Sequence, residues 1–398
     1  MFTLEELEEP LMSTANMSNI DPSSKPMAGQ TFAILTSGGD APGMNAAIRA
    51  ATLVALGKGA TVLGIERGYR GLLDGRLRPL KPADVHDILR EGGTILGSAR
   101  CADFHQLEAR NQARSVLIDN QIDGLIVIGG NGSLTGARLL GDSSESTLTC
   151  PRVAGIPAAI DNDIGLTGLA IGVDTAMNTI VEACDKISDT ASAHDRTFII
   201  EVMGRDCGYL AMTAAVASGA DIVLFPEDGK CDDELVTSMV DTIFAVRQRN
   251  YRGGRVIAIK AEGVGITTEE LKARVDAELI ARGVATNDEG TGVETRVTVL
   301  GHVVRGGRPS ALDRLLGSRL ANIAVRSLAA GQTQKMAAWM PPTVLDPTIA
   351  TRSTDDPYCW VVNLDAVIRE TIKLLEGQSP LVRWRASVFD ELEDVFIL

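Results

Sequence analysis

Two glycine-rich segments, each set between an apolar run and a helical pattern, constrain this chain most. They are FAILTSGGDAPGMN, residues 32–45, and GLIVIGGNGSLTG, residues 124–136. An apolar run, then glycine, then a 3.6-residue periodicity reads as strand, tight turn and helix. Repeated β-then-α units with strands apolar on both sides imply α/β architecture with mainly parallel sheets. In such a sheet these turns lie at the carboxyl edge, where open α/β proteins bind ligands. Glycine lets the backbone approach a phosphate, and the following helix offers free N–H groups and a positive dipole end. Either turn alone is explained equally well as a tight β–α connection; two in one chain favour polyphosphate binding. There is no GxxxxGK[ST], and Gly130-Asn131-Gly132 is followed by glycine at 136, one residue late for GxGxxG. A Walker-type NTPase and a nicotinamide dehydrogenase are therefore disfavoured.

At 398 residues the chain is long enough for two domains, and 45% hydrophobic residues suffice for a sizeable core. Its 38 basic and 52 acidic residues give a charge of −14, which argues against nucleic-acid and anionic-membrane partners. No run of about 18 apolar residues occurs. The acidic start lacks the basic and apolar regions of a signal peptide, and six cysteines without CxxC fit a reducing cytoplasm. Four histidines without HxxxH spacing make a transition-metal enzyme improbable.

The periodicity predicts strands at 32–36, 60–65, 124–128, 153–156, 197–202, 221–225, 256–261 and 296–300. Helices are expected at 45–56, 108–120, 174–187 and 363–375, the third with Ile180, Ala183, Cys184 and Ile187 on one face. Residues 1–28 are polar and aperiodic, a flexible extension with one short acidic helix at 4–11. The stretch 340–348 is turn-rich, and 382–398 mixes aromatics with acids.

In GIPAAIDND, residues 155–163, an apolar strand runs into an acidic loop. In extended backbone, residues two apart project to one side, so Asp161 and Asp163 can share a site. One carboxylate can then take a proton while the other holds Mg2+, directly or through water. An acidic turn is the plainer alternative. Arg100, Arg196, Arg205, Arg296 and Arg305 fall near predicted strand ends in an otherwise acidic chain. Singly they are surface charges or ion pairs; together they suggest a pocket for a phosphorylated substrate.

The segments LTSGGDAPGMNAAIR, GGTILGSAR, VIGGNGS, AIDNDI, HDRTFIIEVMGRDCGYLA, AEG and ETRVTVLGHVVRGG stand in this order over about residues 31–320. In them the chain resembles the 6-phosphofructokinases. The resemblance implies two Rossmann-like domains, a nucleotide-binding one at 29–168 plus about 304–350 and a sugar-phosphate-binding one at 169–303 plus about 351–398. It implies ATP and Mg2+, transfer of a γ-phosphoryl to the 1-hydroxyl of fructose 6-phosphate, and a cytoplasmic homo-oligomer, usually a tetramer. By the resemblance Asp161 is the general base, while Arg100 and Gly38 stabilise the transferring group. Gly38, Tyr69, Arg100, Gly130, Asn131, Gly132 and Ser133 match nucleotide-site positions. Asp161, Asp163, Arg196, Met203, Gly204, Arg205, Glu262, Arg296, His302 and Arg305 match the sugar-phosphate site, with Arg196 and Arg296 supplied by a neighbouring subunit. Asp163 also matches an acidic residue beside the metal.

The chain departs from the family pattern close to the chemistry. Asn131 stands where an aspartate tied to Mg2+ is expected, and Ala158-Ala159 replaces Gly-Thr. A charge about 4 Å from a cation is worth roughly 4 kcal/mol at an effective dielectric near 20, before water compensates. A weakly active or non-catalytic regulatory subunit therefore stays open beside the active kinase. Pyrophosphate-dependent relatives carry Asp at position 132 and Lys at 158, where this chain has Gly132 and Ala158. ATP is thus the expected donor, with pyrophosphate the alternative. Arg49 matches the bacterial effector pocket, but Leu53 and Ser188 replace its arginines, so effector control of that type is not expected.

Overall fold

The computed structural model describes residues 26–248, 254–283, 295–341, 348–353 and 356–380. The expected helix at 4–11, the segment 382–398 and most of 340–348 lie outside the described residues. In chain order the elements are β1 (Thr31–Ser37), α1 (Met44–Gly57), β2 (Thr61–Ile65), α2 (Gly68–Leu73), β3 (Leu77–Pro79), α3 (Leu107–Asp119), β4 (Gly124–Gly129), α4 (Asn131–Leu140) and β5 (Arg152–Pro157). There follow α5 (Val173–Ala193), β6 (Thr197–Val202), α6 (Tyr209–Ser218), β7 (Ile222–Leu224), α7 (Asp232–Gln248), β8 (Val256–Ala261), α8 (Thr268–Ala281) and β9 (Thr295–Val299). The chain then forms α9 (Ala311–Ala329), β10 (Lys335–Trp339), β11 (Ala350–Arg352), β12 (Cys359–Asn363) and α10 (Leu364–Leu375).

Two sheets result, in the expected α/β class. The larger runs β11-β12-β10-β5-β4-β1-β2-β3, with β10, β5, β4, β1 and β2 parallel. The smaller, β7-β8-β6-β9, is parallel throughout. Every residue of β4 and of β8 is buried, as strands covered by helices on both faces must be. From β1 the chain winds outward to β2, then returns to β4 on the other side and on to β5. The winding direction therefore reverses between β1 and β4, and both glycine turns flank that crevice. Helix α1 buries Ala46, Ala47, Ala51 and Ala55, and these small side chains let it lie close against α9.

Two boundaries differ from expectation. Met27 is buried and its N–H donates to Lys58 O at 3.0 Å, so the ordered body begins within the stretch expected to be flexible. Strands β11 and β12, expected almost entirely with the second domain, instead extend the first sheet: β12 pairs antiparallel with β10, and β11 with β12. The cause is β10 itself, KMAAW, which lacks the β-branched signature of a strand yet gives the returning chain an edge to pair with. Helix α10 follows onto the same side, where Asp365 Oδ1 accepts from Arg138 Nε at 2.7 Å.

Helix α5, about 30 Å long, is the connection from the first sheet to the second. Its amino end has no side-chain cap of its own. Asp313 on α9 takes that place: Oδ1 accepts from Gly172 N at 2.7 Å, and Oδ2 from Thr175 N at 2.8 Å and Thr175 Oγ1 at 2.5 Å. Burial pushes the Asp313 carboxyl up while these donors pull it back. An Asp313→Ala variant leaves three buried donors unpaired, at about 1–3 kcal/mol each. We expect a loss of about 3 kcal/mol, the low end of that sum because water can reach some of the freed donors, read from the urea midpoint; an unchanged midpoint refutes the anchor.

Candidate active site

The ladder sets three chain reversals at one height, because Ser37 is the partner of Gly129 and Gly129 of Pro157. Gly38 follows β1 with φ +86°, in the left-handed region. A Cβ there would stand 3.2 Å from Ser133 Oγ, so the first glycine turn touches the second. Gly129 is held closer still: a Cβ would lie 2.5 Å from Ser37 O and 2.7 Å from Ser133 Cβ. Asn131, half-buried, is the first residue of α4, with Gly130 as its cap. Gly132 is exposed, and a Cβ added to it would meet nothing within 4 Å, so this helix end faces open space. The arrangement is a helix N-terminus beside a glycine turn, a geometry suited to an anion.

Tyr69, in the first turn of α2 after β2, comes to the same edge but is buried. Its hydroxyl donates to Ser133 O at 2.6 Å, its ring stacks on Phe104 at 4.0 Å, and burial raises its pKa well above the usual value. It shapes the second turn from behind. The segment 92–100 folds over the first turn: Ser98 Oγ donates to Gly38 O at 2.5 Å and Thr36 Oγ1 to Gly97 O at 2.9 Å. Asn45 secures it, accepting from Ile95 N at 2.8 Å and donating to Gly92 O at 3.1 Å. Arg100 stands exposed at its end. Ser98, Thr36 and Asn45 were not singled out from sequence, though all three lie inside the motif segments.

Asp161 follows β5. Its Oδ1 is buried without a hydrogen-bond partner. Burial and the neighbouring Asp163 push its carboxyl up to about 6; Glu262 adds to this, while Arg305 and Arg205 pull back. Those causes place residues from four separate turns around one carboxylate. The acidic pair does share a site, but not by the expected extended alternation. Residues 160 and 161 form a turn, and Asn162 is left-handed at φ +52°. Its amide is pinned, accepting from Ala170 N at 3.0 Å and donating to Gly168 O at 3.1 Å. Ala159 closes the turn, 3.5 Å from where a Gly130 Cβ would stand.

The second sheet contributes its carboxyl edge. Met203 is buried; Gly204 has φ +133°, and a Cβ there would lie 2.6 Å from Cys207 O. Glu262 N donates to Val202 O at 2.9 Å and Gly263 N to Gly204 O at 3.1 Å, which stacks the turns bearing Arg205 and Glu262. His302 and Arg305 lie on a short 3-10 turn, residues 301–305, after β9. Arg305 crosses between the sheets: Nη1 donates to Asp40 O at 3.4 Å and lies 2.6 Å from where a Gly39 Cβ would be. Arg196 and Arg296 are not brought here. They sit at the amino end of β6 and β9, at the opposite edge.

Magnesium keeps several waters and takes one or two carboxylates plus substrate phosphates. Asp163, next to Asp161, fits such an ion arriving with a phosphate ligand, and Asp161 is left to the proton. No group of three acidic, thiol or imidazole side chains able to cage a metal occurs among the described residues.

The buried carboxylate has a stability consequence. Asp161 binds its proton more tightly folded, near 6, than unfolded, near 4. Its penalty is absent below about pH 4, grows up to about pH 6 and is complete above it. Asp161→Asn should therefore raise Tm over the natural protein at pH 8 and not at pH 4; a pH-independent difference contradicts this.

The family model described as phosphofructokinase matches residues 31–328. An ATP-dependent 6-phosphofructokinase of Clostridium botulinum is 47% identical over 306 residues, covering 77% of this chain and 88% of that protein. Another of Clostridium acetobutylicum is 43% identical, covering 80% and 92%. Among solved structures, the phosphofructokinase of Saccharomyces cerevisiae aligns with a TM-score of 0.76 at 30% identity, over 90% of this chain but 50% of the yeast chain. A pyrophosphate-dependent phosphofructokinase of Marinobacter aquaeolei, at 20% identity, has a TM-score of 0.67 over 85% of this chain and 83% of its own, and shares the fold. The chain belongs to the phosphofructokinase family.

Proposed function

We propose that this chain is an ATP-dependent 6-phosphofructokinase of glycolysis, transferring the γ-phosphoryl of ATP to the 1-hydroxyl of D-fructose 6-phosphate. The names of its bacterial relatives support the activity. The observation that carries the mechanism is Asp161, whose buried Oδ1 has no hydrogen-bond partner, set among Asp163, Glu262, Arg205 and Arg305. A base titrating near 6 is mostly ionised at neutral pH yet accepts a proton better than an ordinary carboxylate. As the sugar's C1 oxygen attacks the γ-phosphorus, its proton passes to Asp161; the bond from γ-phosphorus to the bridging oxygen breaks and ADP leaves.

The first sheet takes the nucleotide, with its phosphates against the backbone at Gly38 and at Gly130–Ser133. Arg100 adds a cation for the transferring group. Asp163, through water, and the amide oxygen of Asn131 would hold Mg2+, which would neutralise charge on the donor phosphates, leaving Asp161 free as the base. The second sheet takes fructose 6-phosphate through Met203, Gly204, Arg205, Glu262, His302 and Arg305. No helix among the described residues is long and apolar enough to cross a membrane, and we assign the protein to the cytoplasm.

Arg196 and Arg296 stand a full strand length, roughly 20 Å, from the carboxyl edge. We assign them to the sugar phosphate of a neighbouring copy in a homo-oligomer, a tetramer. Chains carrying Asp161→Ala and chains carrying Arg296→Ala should each be inactive alone. Refolded together they should regain activity, since some sites then receive both natural residues. No recovery in the mixture refutes the shared site.

Asn131 favours a second reading, a sugar-phosphate-binding subunit with little transfer of its own. A coupled assay with Mg-ATP and with Mg-pyrophosphate separates the cases. We expect turnover with ATP, loss of turnover in Asp161→Ala with fructose 6-phosphate binding retained, and in Asn131→Asp a lower Mg2+ requirement by roughly tenfold. No turnover until Asn131→Asp is introduced selects the binding subunit. Turnover with pyrophosphate alone selects the other donor.

A further inference from the structure

Two buried arginines lie side by side on α3, far along the molecule from Asp161. Arg114 is fully buried. It donates through Nε to Leu140 O at 3.0 Å and through Nη2 to Leu139 O at 2.8 Å and Asp142 O at 3.3 Å. It thus caps the carboxyl end of α4, where a cation also meets the negative end of the helix dipole. Arg110, almost as buried, donates through Nη1 to Phe104 O at 3.2 Å and His105 O at 2.7 Å. Between them stands Glu145, in the loop after α4, with Oε2 2.9 Å from Arg110 Nη2 and 3.7 Å from Arg114 Nη2. Burying two like charges together is unfavourable unless a counter-charge and hydrogen bonds compensate.

These contacts close a circuit around α4. Arg114 grips its last turn. Arg110 holds Phe104, whose ring stacks on Tyr69, and the Tyr69 hydroxyl bonds to Ser133 O in the first turn of α4. We infer that Glu145, acting through Arg110 and Arg114, is a positioning residue that sets the height and tilt of α4 and hence of the Gly130–Ser133 turn. The inference rests on that turn taking the donor phosphates, as proposed above. Loss of the carboxylate drives the two guanidiniums apart and loosens both ends of the helix, while the sugar-phosphate edge of the second sheet shares none of these contacts.

The test uses the full chain with Glu145→Gln and Glu145→Ala, measuring KM for Mg-ATP, KM for fructose 6-phosphate, kcat and Tm. We expect KM for Mg-ATP to rise by roughly tenfold in the alanine variant and less in the glutamine variant, which still accepts from Arg110, with KM for fructose 6-phosphate unchanged. A lowered Tm with an unchanged KM for Mg-ATP overturns the inference, as does an equal rise in both KM values. Gly132→Val separates this from failure of the underlying reading. A Cβ at 132 meets nothing in the protein, so if that variant also leaves KM for Mg-ATP unchanged, the turn does not hold the nucleotide.

Discussion

Parallel pairing places Ser37, Gly129 and Pro157 at one level, and from that register the site follows. A shift of one residue in β4 would turn its buried side chains to the other face and carry the α4 turn away from Gly38. The glycines serve the same end. Those at 38 and 129 let two reversals touch, so that backbone N–H groups of both can face one anion. Helix α4 then adds its dipole, and Asp161 stands at the next strand end, where we place the base. The acidic character of the whole chain does not prevent anion binding, because the positive groups here are backbone amides and a few arginines rather than net charge.

Stability and chemistry oppose each other at Asp161. A partnerless carboxylate among apolar strand ends is poor protein design in isolation, and Asp163 and Glu262 make it worse. Asp313, which anchors α5, has the reverse circumstances: it is fully buried but has three donors. One aspartate has its donors and is structural; the other has an oxygen left over, which suits the base proposed above. The contrast lies in hydrogen bonding, not in residue type.

Much of this was legible in the residues. The strands at 197–202 and 256–261 are found where periodicity and apolar runs put them, and both glycine turns lie at a carboxyl edge. Strand β10 escaped because alanine and lysine carry no strand signal, and with it went the proper home of β11 and β12. The pairing of Asp161 with Asp163 was anticipated on a wrong premise: local alternation does not survive a left-handed asparagine whose conformation is set by contacts several residues away. Ser98 and Asn45 could not be found by spacing, since their partners lie some 50 to 60 positions distant. Arg196 and Arg296 look like site residues in sequence and stand at the wrong edge within one chain, a geometry that a sequence pattern cannot show.

The contact between Arg305 and the first glycine turn ties together two positions that evolution would otherwise vary separately. A Cβ at 39 would stand 2.6 Å from Arg305 Nη1, the mobile end of a long side chain, so a residue there would push the guanidinium off Asp40 O. The effect of a side chain at 39 should therefore be smaller once the arginine is absent than while it is present, so the two substitutions are not additive.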